Sequence, residues 1–220
     1  MSGPASVRLD ELELDALTEL VNLGISRAAT SLADMVREEV TLTVPRVALL
    51  SRDEAVETLG ERESANLVAV HQTFDGDITG RALLIFPEAK SLELVRAIVG
   101  GDLSIEEIIE LEQEALAETG NVILNGCLAT IANMLQRSLK MSLPEILRGE
   151  GPEFFELEPP PEAGDVVLFL YINFAVHERD IQGYIVMLMD LPSLAALKTL
   201  LREFIERSTG EPVPRHDAAG

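Results

Sequence analysis

The stretch DALTELVNLGIS (residues 15–26) returns as EALAETGNVILN (residues 114–125), ninety-nine positions further along the 220-residue chain. In each copy an acidic residue, a glutamate, an asparagine and a final polar residue follow one another at steps of four, three and four. On a helix these steps keep all four side chains within one narrow arc. The pattern predicts two helices with the same polar stripe, made of Asp15, Glu19, Asn22 and Ser26 in the first and of Glu114, Glu118, Asn121 and Asn125 in the second.

The repeat extends beyond the helices. Pro45 and Pro144 are also ninety-nine residues apart, so twenty-two residues separate asparagine from proline in both copies, and ITG (residues 78–80) matches IQG (residues 181–183). Duplication of one unit explains these matches. We therefore expect a single domain over residues 1–209, built from repeats at about 9–101 and 105–206, and a disordered tail over residues 210–220.

Periodicity predicts an α+β fold in which two pseudo-symmetric halves share a mainly antiparallel sheet, with both long helices on one side of it. Pro45 is expected to end the first strand, and Asp75-Gly76-Asp77 to form a tight turn with positive φ. Helices are predicted at residues 9–36, 51–60, 88–99, 105–139 and 193–205, and strands at residues 40–44, 67–74, 78–86, 154–157, 166–176 and 181–189.

The composition of the chain argues against several classes of function. With 38 acidic and 17 basic residues the formal charge is −21, which repels nucleic acid and anionic membranes. The single cysteine, Cys127, lies in an apolar stretch and is expected to be a buried hydrophobe. His71 and His177 are expected to be sheet residues, and His216 falls in the tail. No signal peptide or apolar run long enough to span a membrane is found, so a cytoplasmic location is expected.

The asparagines are the candidate chemical groups. Asparagine costs a helix roughly 0.5 kcal/mol relative to alanine, and a lysine or glutamate would be solvated at less cost. Gly24 and Gly120 cost about 1 kcal/mol each and are expected to let another backbone approach closely. A carboxamide can hold a water in line with a scissile P–O bond, and the neighbouring Glu19 or Glu118 can anchor a lysine of a partner.

These residues resemble the signature of the CheC/CheX/FliY group of chemotaxis phosphatases, which is Asp or Ser, then Glu, Asn and Pro at the spacings found here. The resemblance covers about residues 10–205. It implies hydrolysis of the phospho-aspartate of a CheY-type response regulator in chemotaxis signalling. The Glu would anchor the regulator and the Asn would orient the attacking water. In this resemblance Glu19, Asn22, Glu118 and Asn121 are the catalytic residues, and Asp15, Glu114, Pro45 and Pro144 support them.

The resemblance also implies that this chain binds no cofactor or metal, because the Mg²⁺ belongs to the regulator. CheD is a further partner that it suggests, and the internal symmetry suggests a monomer. Two departures stand out: Glu114 replaces the Asp or Ser of the second signature, and Val21 stands where many members have glycine. Glu114 is expected to affect the second site, and Val21 is expected to crowd a partner at the first site.

Two other functions fit the same residues. One is a non-catalytic adaptor that binds a response regulator, CheD or the flagellar switch and acts by occupancy. Such a protein would leave the loss of phosphate from the regulator unchanged, or slow it. The other is a phosphatase of a stand-alone receiver protein outside motility, since nothing in the helix face reads one particular regulator.

Overall fold

The two long helices begin at side-chain caps. In the computed structural model, which describes residues 8–37, 39–62, 66–99, 104–156, 166–176 and 179–210, Asp10 and Glu13 form a reciprocal capping box. Ser104 and Glu107 do the same for the second helix. Such boxes satisfy backbone N–H groups that the first helical turn leaves unpaired.

The elements follow the predicted order except between α4 and β6, where two unpredicted short strands and a 3₁₀ turn are found. They are α1 (Glu11–Val36), β1 (Val40–Ser51), α2 (Arg52–Arg62), β2 (Leu67–Gly76), β3 (Gly80–Pro87), α3 (Glu88–Val99), α4 (Ile105–Met134), β4 (Leu139–Met141), β5 (Glu145–Gly149), the 3₁₀ turn Gly151–Phe155, β6 (Val166–Val176), β7 (Arg179–Met189) and α5 (Leu191–Thr209).

One antiparallel sheet runs through both halves in the order β1-β6-β7-β3-β2-β4, with β5 also paired to β2. The predicted α+β fold with a joint sheet is confirmed. The halves exchange strands, because β1 of the first half pairs with β6 of the second, and β4 and β5 of the second pair with β2 of the first. The pairing of β3 with β7 joins the two halves at the centre.

A large apolar core lies between one face of this sheet and helices α1, α3, α4 and α5. A smaller cluster on the opposite face is covered by α2 and the 3₁₀ turn. Helix α4 is long and apolar enough to cross a membrane by composition, but more than half of that stretch is buried against the rest of the chain. It is therefore packed as a core helix. Cys127 is fully buried there, and burial raises the pKa of its thiol to about 12.

Equivalent residues of the two halves also end the long helices and form ion pairs. Arg37 and Gln136, ninety-nine residues apart, both adopt positive φ and stop α1 and α4. This turn ends α4 at Met134, five residues before the predicted end at residue 139. Glu13 is fully buried beside Arg202 of α5, and its carboxylate raises the pKa of that guanidinium. Its counterpart Glu112 pairs instead with Arg148 of β5 and accepts a hydrogen bond from Ser91 of α3.

Three local predictions are wrong. Pro45 does not end β1, because the strand passes it through an irregularity between Thr43 and Arg46, and an edge strand tolerates a missing donor. No residue of the β2–β3 turn has positive φ, and Gly76 is instead required because a Cβ there would lie 2.4 Å from the carbonyl oxygen of Ser138. The strand predicted at residues 154–157 is a 3₁₀ turn up to Phe155, which lets two successive aromatic rings enter one cluster.

Several predictions fall outside the described residues. They concern the last residue of the strand predicted at 154–157, His177, and the tail from residue 211 onward, which includes His216. The side chain of Pro45 is also outside the description. His71, which can be placed, is a residue of β2 as expected.

Candidate functional site

The polar stripe of α1 is exposed along its length. Asp15, Glu19, Asn22 and Ser26 all face solvent. Leu17, Leu20 and Val21 point the other way into the large core, which holds the helix in one rotation about its axis. The predicted division of α1 into a core face and a polar face is confirmed. We call the surface around Glu19 and Asn22 site one.

The stripe of α4 is less exposed at its asparagines. Glu114 and Glu118 are solvent-exposed, whereas Asn121 and Asn125 are half-buried. The side chains therefore share one face, as predicted, but the two asparagines lie nearer the sheet than Asn22 does. We call the surface around Glu118 and Asn121 site two.

The two sites lie on opposite sides of a close helix crossing. A Cβ at Gly24 would lie 2.9 Å from the backbone of Cys127, and a Cβ at Gly126 would lie 3.0 Å from Ala28. The helices run antiparallel, since Met35 near the end of α1 lines one groove with Glu114 and Glu118. At 1.5 Å per residue the two asparagines are roughly 15 Å apart along the helix axes. The chain thus presents two separate sites rather than one composite site.

The glycines and Val21 do not face a partner. Gly24 does admit another backbone, but this backbone belongs to α4 of the same chain. Gly120 is buried against Val70, where a Cβ would lie 2.5 Å from that side chain. Val21 is fully buried in the core, so the expectation that it crowds a partner at site one is wrong. These positions set how the helices pack on the sheet.

The paired prolines mark equivalent irregularities in the sheet. Pro45 lies in the register shift of β1, and Pro144 lies in the break between β4 and β5. Both breaks occur in strands that follow a long helix and pair across to the other half. Proline suits such positions because it lacks the N–H that a regular ladder would use.

A hydrogen-bond network fixes Asn121 at site two. The Gln72 Nε2 group donates to Asn121 Oδ1 at 3.1 Å and to the carbonyl oxygen of Ser142 at 2.8 Å. Asn125 Nδ2 donates to the same Asn121 Oδ1 at 2.7 Å. The amide oxygen of Asn121 therefore accepts two hydrogen bonds, and its NH₂ group has no partner among the described residues. This leaves the NH₂ as the group that site two offers to a ligand.

Site one has no comparable network. Asn22 is exposed, and its side chain makes no hydrogen bond to the residues that the structure describes. Ser26, the counterpart of Asn125, donates none to it either. The carboxamide of Asn22 is therefore free to rotate, and its orientation has to be set by whatever binds there.

The residue that the sequence analysis missed is Gln72. The sequence does contain a sign of it. Every second residue of β2 faces the helices, and among Val68, Val70 and Phe74 on that face Gln72 is the polar residue. It is fully buried, and its Oε1 atom has no donor among the described residues, like Asn125 Oδ1. A buried acceptor without a donor costs about 1–3 kcal/mol, so this glutamine needs an explanation other than stability.

Apolar side chains flank both stripes. Leu12 and Leu111, ninety-nine residues apart, are 50% and 36% exposed, one turn before the acidic residue that begins each stripe. Beside site two, Leu111, Val99 and Met35 line a shallow groove that also includes Glu118. An acidic stripe beside exposed apolar residues is the composition of a protein-binding surface rather than of a small-molecule pocket. Within the described ranges, no three His, Cys, Asp or Glu residues are grouped to hold a metal ion.

His71, beside Gln72 in β2, gives a pH dependence to stability. Burial lowers the pKa of its imidazole, and a contact with Glu145 at 3.6 Å only partly offsets this effect. Below the ordinary pKa of about 6.5 the unfolded chain takes up a proton that the folded protein resists. We therefore expect the free energy of unfolding to fall as the pH drops from about 7 to about 5.5. His71→Tyr, which replaces the imidazole with a ring that stays neutral over this pH range, should reduce the pH dependence of the free energy of unfolding measured in urea titrations. Equal slopes in both proteins would contradict the assignment to His71.

The chain is similar to known chemotaxis phosphatases. The family model described as chemotaxis phosphatase CheX matches residues 68–158, and that of the CheC-like family matches residues 12–49. CheY-P phosphatase CheC of Bacillus subtilis is 27% identical over 199 residues, which cover 86% of this chain and 93% of that protein. Flagellar motor switch phosphatase FliY of the same organism is 21% identical over 140 residues, covering 63% of this chain and 36% of FliY.

Solved structures agree on the fold. Thermotoga maritima FliY superposes with a TM-score of 0.69 at 17% identity, covering 90% of this chain and all of that one. The FliM middle domain from H. pylori gives 0.57 at 9% identity, covering 87% of this chain and 99% of that one. The family models match α1 with β1 and the region that contains α4, and these are the segments that carry the repeated Glu-x-x-Asn. The two family models and the curated relatives together support the CheC family of CheY-P phosphatases as the family of this chain.

Proposed function

We propose that this protein is a phosphatase that hydrolyses the phospho-aspartate of a CheY-type response regulator. The observation that carries the proposal is the duplicated Glu-x-x-Asn face, presented twice on rigid helices that pack against one sheet. The names of its curated relatives, CheY-P phosphatase CheC among them, support the same reaction. In this proposal the protein works in the cytoplasm, where response regulators are phosphorylated.

The chemistry requires little of this chain beyond positioning. Water attacks phosphorus, the P–O bond to the regulator's aspartate breaks, and the products are inorganic phosphate and the free aspartate. The transition state is loose in most analyses, so a water held in line lowers the barrier without a strong base. At site two the free NH₂ of Asn121 can donate to the water oxygen. The magnesium ion that neutralises the phosphoryl charge belongs to the regulator.

The glutamates anchor the partner in this proposal. Glu118 stands one turn before Asn121 and is exposed, as Glu19 is before Asn22. A carboxylate at this place can form a charge-assisted hydrogen bond with a lysine beside the regulator's phosphorylation site. Leu12 and Leu111 would add apolar contact at the edge of each docking surface. The carboxamide is thereby brought to the phosphoryl group by contacts on both sides.

A phosphate-release assay tests the proposal. Purified protein at substoichiometric concentration is mixed with a phosphorylated CheY-type regulator and Mg²⁺, and inorganic phosphate is followed over time. We expect the release to accelerate by at least about 10-fold, with each molecule of protein acting repeatedly. Unchanged or slower release would contradict hydrolysis and favour an adaptor that acts by occupancy. Binding of the regulator, or of CheD, would then be measured separately, because an adaptor would still bind.

A further inference from the structure

The strand pairings align the two halves residue by residue. Leu50 pairs with Val167, and its counterpart Gly149 pairs with Leu67. Beyond the irregularity, Leu42 pairs with Phe174, and its counterpart Met141 pairs with Phe74. Residues of β6 therefore correspond to residues of β2 at an offset of one hundred on both sides of the proline.

This alignment makes Ile172 the counterpart of Gln72. Both side chains are buried, and both lie on the strand face that the long helices cover. Strand β6 of the second half carries an isoleucine at this position, whereas strand β2 of the first half carries the glutamine that contacts Asn121 of site two. The fold thus accepts an apolar residue at this position, and the glutamine is not required for packing.

The glutamine has a specific effect on Asn121. Because Gln72 Nε2 also donates to the carbonyl oxygen of Ser142, this end of its side chain must be the NH₂ group. The atom of Asn121 that faces it must then be the acceptor, Oδ1. Ser142 stands in the break between β4 and β5 that contains Pro144, so the irregular strand supplies the carbonyl that orients the glutamine.

We propose that Gln72 is a positioning residue that locks the Asn121 carboxamide with its NH₂ group facing outward, toward the ligand of site two. This proposal rests on the proposed function only for the identity of that ligand. The lock removes the rotational freedom that Asn22 retains at site one, so less ordering is needed when a partner docks. Fixing Asn121 in this way costs stability, because the Oε1 atom of Gln72 is buried without a hydrogen-bond donor.

The decisive variant is Gln72→Ile, which copies the residue of the other half. In an Asn22→Ala background, where only site two can act, we expect kcat to fall roughly 10- to 100-fold while KM for the phosphorylated regulator changes by less than about twofold. Tm should stay equal or rise, because a buried unpaired oxygen is removed. Gln72→Glu keeps the size but loses the donor, and it should share the loss of kcat. An unchanged kcat in Gln72→Ile would overturn the proposal.

A second measurement separates this proposal from the phosphatase assignment. In ¹⁵N-labelled protein without any regulator, the side-chain NH₂ of Asn121 should be as rigid as the backbone, and that of Asn22 mobile. In Gln72→Ile the Asn121 NH₂ should become more mobile than in the wild type, because only the hydrogen bond from Asn125 still orients the carboxamide. If wild-type protein shows no phosphatase activity but this pattern holds, the proposed function fails and the positioning role stands. A mobile Asn121 NH₂ in the wild type, or a fall in Tm of Gln72→Ile with kcat unchanged, would show that Gln72 does not position Asn121.

Discussion

Asn22→Ala combined with Asn121→Ala is expected to abolish the acceleration of phosphate release while the protein stays folded. Each asparagine supplies the hydrogen bond that holds the attacking water, and removing one preorganised donor from an active site costs roughly 100- to 1000-fold in rate. Asn22 is exposed on its helix, where alanine is the better helix former by about 0.5 kcal/mol or more. Asn121→Ala removes the acceptor of two hydrogen bonds, at a cost of about 1–3 kcal/mol, so the double variant should unfold at a lower temperature than the wild type but stay folded in the assay.

The matched control is Asn133→Ala. This asparagine is also on α4 and exposed, but it is the penultimate residue of the helix and lies outside both stripes. It should leave phosphate release at the wild-type rate. Wild-type turnover in the double variant would refute the assignment of the asparagines, whereas loss of turnover in Asn133→Ala would show that the assay responds to damage elsewhere. Each single variant should retain activity from the remaining site.

Gly24→Ala is expected to destabilise the protein strongly through the addition of a single methyl group. The new Cβ would lie 2.9 Å from both the Cα and the carbonyl oxygen of Cys127. These are backbone atoms, so no change of rotamer relieves the contact and the two long helices must separate. Overpacking of this kind costs about 1–3 kcal/mol or more, and each kcal/mol lowers Tm by roughly 2–4 °C in a protein of this size.

Gly60→Ala is the control for this substitution. Gly60 lies in helix α2, is exposed, and has no atom within 4 Å of where a Cβ would be. Alanine there should stabilise the protein by up to about 1 kcal/mol, because it restricts the unfolded chain without a clash. Thermal unfolding of the two variants should thus move in opposite directions. Equal shifts would mean that the helix crossing is looser than the packing of Gly24 indicates.

The sequence predicted the fold correctly where the helical or strand periodicity of apolar residues occurs in both copies of the internal repeat. The stripes of Glu19 with Asn22 and of Glu118 with Asn121 follow from helical geometry alone, and their outward direction follows from the apolar residues between them. The joint sheet could be predicted because each half would otherwise leave strand edges open. The exposed Glu and Asn faces are therefore local properties, which a single helix encodes.

The predictions that failed depend on contacts between distant segments. A proline ends a strand only where the sheet needs a backbone N–H at its position, and the edge strand β1 tolerates the missing donor at Pro45. The sequence around Phe154 and Phe155 is typical of a strand, and only the apolar cluster that both rings enter explains the 3₁₀ turn. Gln72 could be noticed as a polar residue on an apolar strand face, but its hydrogen bond to Asn121 spans 49 residues of sequence. No local pattern specifies that pairing.

The exchange of strands between the halves has a consequence for synthesis on the ribosome. Ser51 at the end of β1 pairs with Val166, which is translated roughly 115 residues later. At about 5–20 residues per second this strand waits roughly 6 to 25 seconds for its partner. During that time it is an unpaired apolar segment within a nascent chain, and neighbouring chains on the same message can pair with it. Pro45 interrupts the segment at its middle, and a proline there hinders such intermolecular pairing. Pro45 is therefore expected to lower the tendency of the growing chain to aggregate.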